Sequence, residues 1–125
     1  MDTRTKILTV EAARGLHALS PVVLTGYFDI LRAEQARQIE NERRRYTEST
    51  LVAFVLPSAT TLLPQPARAE MAAALRVIDY VVTGDASDLT VLINALQPLS
   101  VVHLETDEER RYRELVQHVH RRQGR

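Results

Sequence analysis

Four short hydrophobic runs divide the chain, and each is followed by a turn-forming or polar segment. They are hydrophobic at nearly every position rather than at alternate positions, which is typical of strands covered on both faces. The runs span residues 22–24, 51–56, 77–82 and 101–104. The pattern therefore predicts four buried β-strands.

The segments around these runs have the spacing of amphipathic helices. Leu89, Leu92, Ile93 and Leu96 recur at i, i+3, i+4 and i+7, and Pro98 is expected to end that helix. The last helix is expected to open with a capping box at Thr106-x-x-Glu109. The predicted helices cover about Thr9 to His17, Ala33 to Tyr46, Ala67 to Arg76, and the stretches that follow Asp85 and Thr106.

Strands that alternate with helices predict an α/β fold, a Rossmann-like parallel sheet with helices on both faces, because parallel strands need crossover connections. The 125 residues suffice for one such domain, spanning 1–125. Ligands of these sheets bind beyond the carboxyl ends of the strands, where the winding direction changes. The turn from Thr25 to Gln35 is therefore the first place to look for a site.

The charge balance argues against nucleic acid and membranes as partners. Sixteen basic and sixteen acidic side chains cancel, and no window approaches the roughly 20 apolar residues of a membrane span. The first residues lack the apolar core of a signal peptide, so a cytoplasmic location is expected. The absence of cysteine excludes disulfides and thiolate chemistry, and Lys6 is the single lysine.

The string G-Y-F-D-I-L runs from Gly26 to Leu31 directly after the first predicted strand, and a second distinctive segment covers residues 68–82. Together they resemble the cytidylyltransferase-like nucleotidylyltransferases, nearest the adenylyltransferase half of the bifunctional heptose kinase/adenylyltransferase. The likeness extends from about Lys6 to Glu105. It implies a nucleotidylyltransferase fold and, in an active enzyme, attack of a sugar or alcohol phosphate on CTP or ATP with Mg²⁺, with release of pyrophosphate.

The resemblance also implies which residues would bind phosphate. The family carries the motif H-x-G-H after F-D-x-x, and the matching positions here are Arg32, Ala33, Glu34 and Gln35, so both histidines and the glycine are absent. On this resemblance the candidate nucleotide- or phosphate-binding residues are Thr25, Gly26, Tyr27, Phe28, Arg32 and Gln35, with Asp29 and Arg68 as accessory candidates.

These departures predict that family-type catalysis is lost. Arg32 could still grip a phosphate as a permanent cation, and Gln35 could donate a hydrogen bond. Glu34 stands where the family has glycine, and a carboxylate about 4 Å from a phosphate charge costs roughly 4 kcal/mol at an effective dielectric of 20. The loop 58–66 lacks the family's basic K-G element, and the last helix follows Glu105 without the family's Ser/Thr-rich segment.

Structural roles compete with functional ones at several positions. Asp29 precedes a helix and is expected to cap it, while Arg68 is expected to orient a loop or pair with an acid. His118 and His120 lie about 200° apart around a helix and cannot share a metal ion, so no metal site is predicted. His103, at the end of a strand, is expected to be a hydrogen-bonded structural residue.

The sequence leaves three functions open. The first is a catalytically inactive protein that binds a nucleotide or sugar phosphate weakly or acts as an assembly module. The second is an active cytidylyl- or adenylyltransferase in which Arg32 and Gln35 replace the histidines and Mg²⁺ carries more of the charge. The third is a purely structural subunit of a homo-oligomer such as a dimer, which would use an apolar stripe on the last helix, formed by Tyr112, Leu115, Val116 and Val119.

Overall fold

In a computed structural model of the chain, residues 2–29 and 33–123 are described. Five strands form one sheet, and five α-helices connect or follow them. The strands are β1 (Ile7–Leu8), β2 (Pro21–Gly26), β3 (Thr50–Val55), β4 (Tyr80–Thr83) and β5 (Ser100–His103). The α-helices are α1 (Val10–Ala13), α2 (Ala33–Arg45), α3 (Gln65–Ala73), α4 (Ala86–Leu96) and α5 (Glu105–Gln123).

The sheet has the order β1-β4-β3-β2-β5, and all its neighbouring strands are parallel. This confirms the predicted α/β class and its Rossmann-like parallel sheet. The strand β1 was not predicted, because two residues are too few to stand out as a hydrophobic run. The first helix is also shorter than expected, since α1 passes into a 3₁₀-helix over Arg14–Leu19.

Each strand contributes alternate side chains to two hydrophobic cores, one on each face of the sheet. On one face Val22 and Leu24 of β2 pack with residues of α2 and α3, and on the other Val23 packs with residues of α4 and the 3₁₀-helix. Burial on both faces explains why the strands are hydrophobic throughout.

The single lysine lies at the amino end of the sheet, opposite to the expected site. Its Nζ donates hydrogen bonds to the carbonyls of Leu75 (3.2 Å) and Ile78 (2.9 Å) in the turn after α3. Lys6 is therefore a structural residue that satisfies carbonyl groups at a helix end.

The helix α5 begins one residue earlier than the predicted capping box. The amide of Glu108 donates to the carbonyl of Leu104 at 3.1 Å, so Thr106 lies inside the first turn and does not cap it. In the predicted stripe only the Val116 side chain is described, and it is half-buried. No helix in the described part of the chain is both long enough and apolar enough to cross a bilayer.

Candidate functional site

The winding direction of the sheet changes between β2 and β5. The chain leaves β2 toward β3 on one side, while β5 returns to pair with β2 on the other side. A crevice for ligands is expected at the carboxyl ends of these two strands. In this protein the first turn of α5 lies over that position.

The first contact between α5 and β2 is made at Thr25, which is fully buried. Its hydroxyl donates to the Glu105 carboxylate, 2.7 Å from Oε2, and lies 2.9 Å from Nδ1 of His103. The same Nδ1 is 3.0 Å from Oε1 of Glu105. Thr25 therefore fixes the start of α5, and His103 is hydrogen-bonded as the structural interpretation expects.

A second acid of α5 enters the turn that follows β2. Oε1 of Glu108 accepts a hydrogen bond from the amide of Tyr27 at 2.9 Å, and the Phe28 amide also favours its charged form. Phe28 has a φ of 50°, a left-handed conformation of the kind found where successive amides turn toward a bound anion. The anion at this turn is the carboxylate of Glu108.

Gly26 makes room for this carboxylate. A Cβ at Gly26 would lie 2.7 Å from Oε1 of Glu108 and 3.3 Å from both Cβ of Leu104 and Cε2 of Phe28, so the Glu108 carboxylate would have to shift. The resemblance implies that Gly26 lets a phosphate approach the backbone, but in this structure the space is filled by Glu108.

The surroundings disfavour negative charge on Glu108. Burial raises the pKa of the Glu108 carboxyl above its ordinary value, and the charge of Glu105 adds to that effect. Hydrogen bonds from the turn amides, and the side-chain amide of Gln35, which approaches Glu108 without making a hydrogen bond of regular geometry, lower it again without cancelling the effect of burial. A third acid, Glu109, accepts a hydrogen bond from the Tyr27 hydroxyl and raises the pKa of Tyr27 to about 12.

The raised pKa makes a prediction for the pH dependence of stability. A carboxyl whose pKa is higher in the folded state binds more protons when folded, so its contribution is fully present below the unfolded value of 4.5 and is lost as pH rises through the folded pKa. We expect the free energy of unfolding of Glu108→Gln, minus that of the wild type, to increase from pH 4 to pH 7. Urea denaturation across this range measures it, and a difference that shrinks with pH would contradict the raised pKa.

The degenerate motif lies beside this turn. Gln35 is buried, with 4% of its surface exposed, and among residues 2–29 and 33–123 its Nε2 has no hydrogen-bond partner. Glu34 is exposed in the first turn of α2. Arg32 lies outside the described residues. The carboxylate that contacts the turn amides therefore comes from α5 at Glu108, not from Glu34 as the motif suggested.

The remaining candidates hold the turn in place. Asp29 accepts hydrogen bonds from the amides of Leu62 (2.8 Å) and Leu63 (3.2 Å), while residues 30–32, which it was expected to cap, lie outside the described residues. The buried Arg68 donates from Nη1 to the carbonyls of Tyr27 and Leu56, both at 2.7 Å, and from Nε to that of Leu63 at 3.1 Å. It pairs with carbonyl oxygens across three segments. The side chain of Phe28 is fully buried in the core on the α2 and α3 face.

Sequence reasoning missed Glu105, Glu108 and Glu109 as residues of this site. The available signal was the acidic run that directly follows the last strand, but it was interpreted as ordinary helix capping. Its meaning depends on the position of β5 next to β2, which brings Glu108 to a turn 81 residues away in the chain.

Comparisons with known proteins add a fold relationship. No family model and no curated protein matches the chain. Among solved structures it is similar to the lipopolysaccharide core biosynthesis protein from Thermoplasma volcanium GSS1, with a TM-score of 0.56 and 20% sequence identity over 65% of this chain and 70% of that one. At this identity the likeness supports the Rossmann-like α/β fold.

Proposed function

We propose that this chain is a nucleotidylyltransferase-fold protein that does not transfer nucleotides and instead binds a nucleotide or sugar phosphate weakly or acts as an assembly module. The observation that carries the proposal is the hydrogen bond from the Tyr27 amide to Glu108. It puts a carboxylate at the turn where the family resemblance implies a phosphate.

The electrostatics of the turn support loss of catalysis. Nucleotidyl transfer depends on positive charge around the phosphoryl oxygens as negative charge shifts to the leaving pyrophosphate. Here Glu105, Glu108 and Glu109 surround the turn, and each carboxylate about 4 Å from a phosphate charge costs roughly 4 kcal/mol at an effective dielectric of 20. The buried Arg68 interacts electrostatically with Glu108, but its hydrogen bonds go to backbone carbonyls.

Titration calorimetry with CTP and ATP in the presence of Mg²⁺, together with a pyrophosphate-release assay, tests the proposal. The acceptors are glycerol phosphate, heptose phosphate and ethanolamine phosphate. We expect weak binding and no pyrophosphate release. Turnover with any acceptor would refute the inactive assignment and favour the active transferase with Arg32 and Gln35 in place of the histidines.

Absence of both binding and turnover would favour the structural alternative. Size-exclusion chromatography with light scattering then measures whether the chain forms a homo-oligomer such as a dimer. An oligomer that is stable without nucleotide, and unchanged when nucleotide is added, is the outcome expected of a purely structural subunit.

A further inference from the structure

We infer that the first turn of α5 is a displaceable cover over an oxyanion site formed by the backbone amides of Tyr27 and Phe28 and the side-chain amide of Gln35. We call the covering residues Glu105, Glu108 and Glu109 the acid latch. The inference rests on the proposed function, because the competing ligand is the phosphate group proposed there. It adds regulation of that site: phosphate and the acid latch exclude each other.

The acid latch joins the first turn of α5 to the end of β2 and to the turn that follows it. Glu105 binds the hydroxyl of Thr25, Glu108 binds the amide of Tyr27, and Glu109 binds the hydroxyl of Tyr27. Asp107 of the same turn accepts a hydrogen bond from Nε2 of Gln38 in α2 at 3.2 Å. No described residue of α5 belongs to either hydrophobic core, so release of the acid latch would loosen the first turn without disrupting the cores.

The donors under the latch are not fully used by it. Gln35 Nε2 is a buried donor without a partner in the described part of the chain, although it lies near enough to Glu108 to favour the charged carboxylate. Buried donors without acceptors are rare and point to a missing partner. The two oxygens of a carboxylate could accept hydrogen bonds from all three donors, yet Glu108 as placed leaves Nε2 of Gln35 unpaired. A tetrahedral oxyanion presents its oxygens in more directions and could accept from Tyr27, Phe28 and Gln35 together.

Displacement of Glu108 is assisted by its surroundings. Its charge is opposed by burial and by the neighbouring Glu105. Arg68 attracts the Glu108 carboxylate, but the same positive charge would equally attract an incoming phosphate. A carboxylate that leaves such a position regains its hydration. The missing Cβ of Gly26 keeps the space next to the amides open for an incoming oxygen.

The test measures binding of inorganic phosphate to Glu108→Ala, to the wild type and to the control Glu114→Ala. Glu114 is an exposed acid on the same helix, so the control removes one equal charge without touching the turn. We expect Glu108→Ala to bind phosphate at least about tenfold more tightly than the wild type, since it loses a like charge and frees the amides. Glu114→Ala should stay within about twofold of the wild type, because exposed charges are screened.

Amide NMR provides an independent measurement on the wild type. Saturating phosphate should shift the amide resonances of Tyr27 and Phe28. It should also reduce the hydrogen-exchange protection within residues 105–109, chiefly at the Glu108 amide, which donates to the Leu104 carbonyl. Phosphate binding with unchanged protection of this turn would overturn the cover, as would a folded Glu108→Ala with no gain in affinity. If Glu108→Ala does not fold, the exchange experiment decides alone.

These outcomes are separate from those of the proposed function. Pyrophosphate release by the wild type would refute the inactive assignment and leave the cover intact if residues 105–109 also lose protection. Conversely, a folded Glu108→Ala that gains no phosphate affinity refutes the cover and leaves the absence of turnover unaffected.

Discussion

Replacement of Arg68 by methionine should lower the free energy of unfolding by about 3–5 kcal/mol. Arg68 is 1% exposed and is a donor to carbonyls of three separate segments, at Tyr27, Leu56 and Leu63. Each carbonyl left without a donor costs about 1–3 kcal/mol. Part of this loss is offset because methionine has no charge whose burial must be compensated. The loss arises because one side chain joins the turn after β2, the end of β3 and the loop before α3.

Urea denaturation monitored by circular dichroism measures this effect. The control is Arg76→Met, an exposed arginine for which a change below about 0.5 kcal/mol is expected. Arg68→Lys keeps the charge but cannot reach three carbonyls with a planar fork, so it should fall between the wild type and methionine. Equal stabilities of Arg68→Met and Arg76→Met would contradict the role of Arg68 as a structural connector.

Replacement of Phe28 by alanine should cost about 3–5 kcal/mol, because a fully buried aromatic ring leaves a cavity in the core. Phe28 was a candidate ligand-binding residue by resemblance, yet its ring packs inside the protein. The matched control is Leu62→Ala, because Leu62 lies in the loop between β3 and α3 and is 76% exposed. This substitution should change stability by less than about 0.5 kcal/mol.

The same denaturation experiment distinguishes packing from backbone conformation at this residue. Phe28 has a φ of 50°, so Phe28→Gly relieves backbone strain but removes the ring, and Phe28→Ala removes the ring alone. We expect glycine to be at least as stable as alanine at this position, the reverse of their usual order. If alanine leaves stability unchanged, the ring is not a core residue and the ligand-binding interpretation returns.

The fold was largely predictable because its signals are local. Runs that are hydrophobic at consecutive rather than alternate positions indicated strands covered on both faces. The ends of β2 and β3 lie within one or two residues of the ends of the predicted runs. The strand predicted at 77–82 begins three residues before the observed strand, which starts at Tyr80. Ile78 is hydrophobic because it is a core residue of the preceding turn. The two-residue β1 is stabilised by pairing with β4, a tertiary contact with no local signature.

The position of the candidate site was predictable from the sequence, but the residues that fill it were not. The change of winding direction after β2 identified the turn beginning at Thr25, as sheet topology requires. What fills the turn depends on the edge of the sheet to which β5 returns, and a sequence pattern does not specify that edge. Negative charge at the turn was expected from Glu34, the second residue of α2, whereas the carboxylate that contacts the Tyr27 amide is that of Glu108, the fourth residue of α5.

The space left by Gly26 has an evolutionary consequence. A glycine at a ligand-binding turn is usually explained by the ligand, and its conservation would then report binding. Here the space is shared by the Glu108 carboxylate, Cβ of Leu104 and the ring of Phe28, so we expect selection on position 26 to be coupled to position 108 among these neighbours. In related sequences the two positions should covary, with a larger residue at 26 accompanied by a shorter side chain at 108, whether or not a ligand is ever bound.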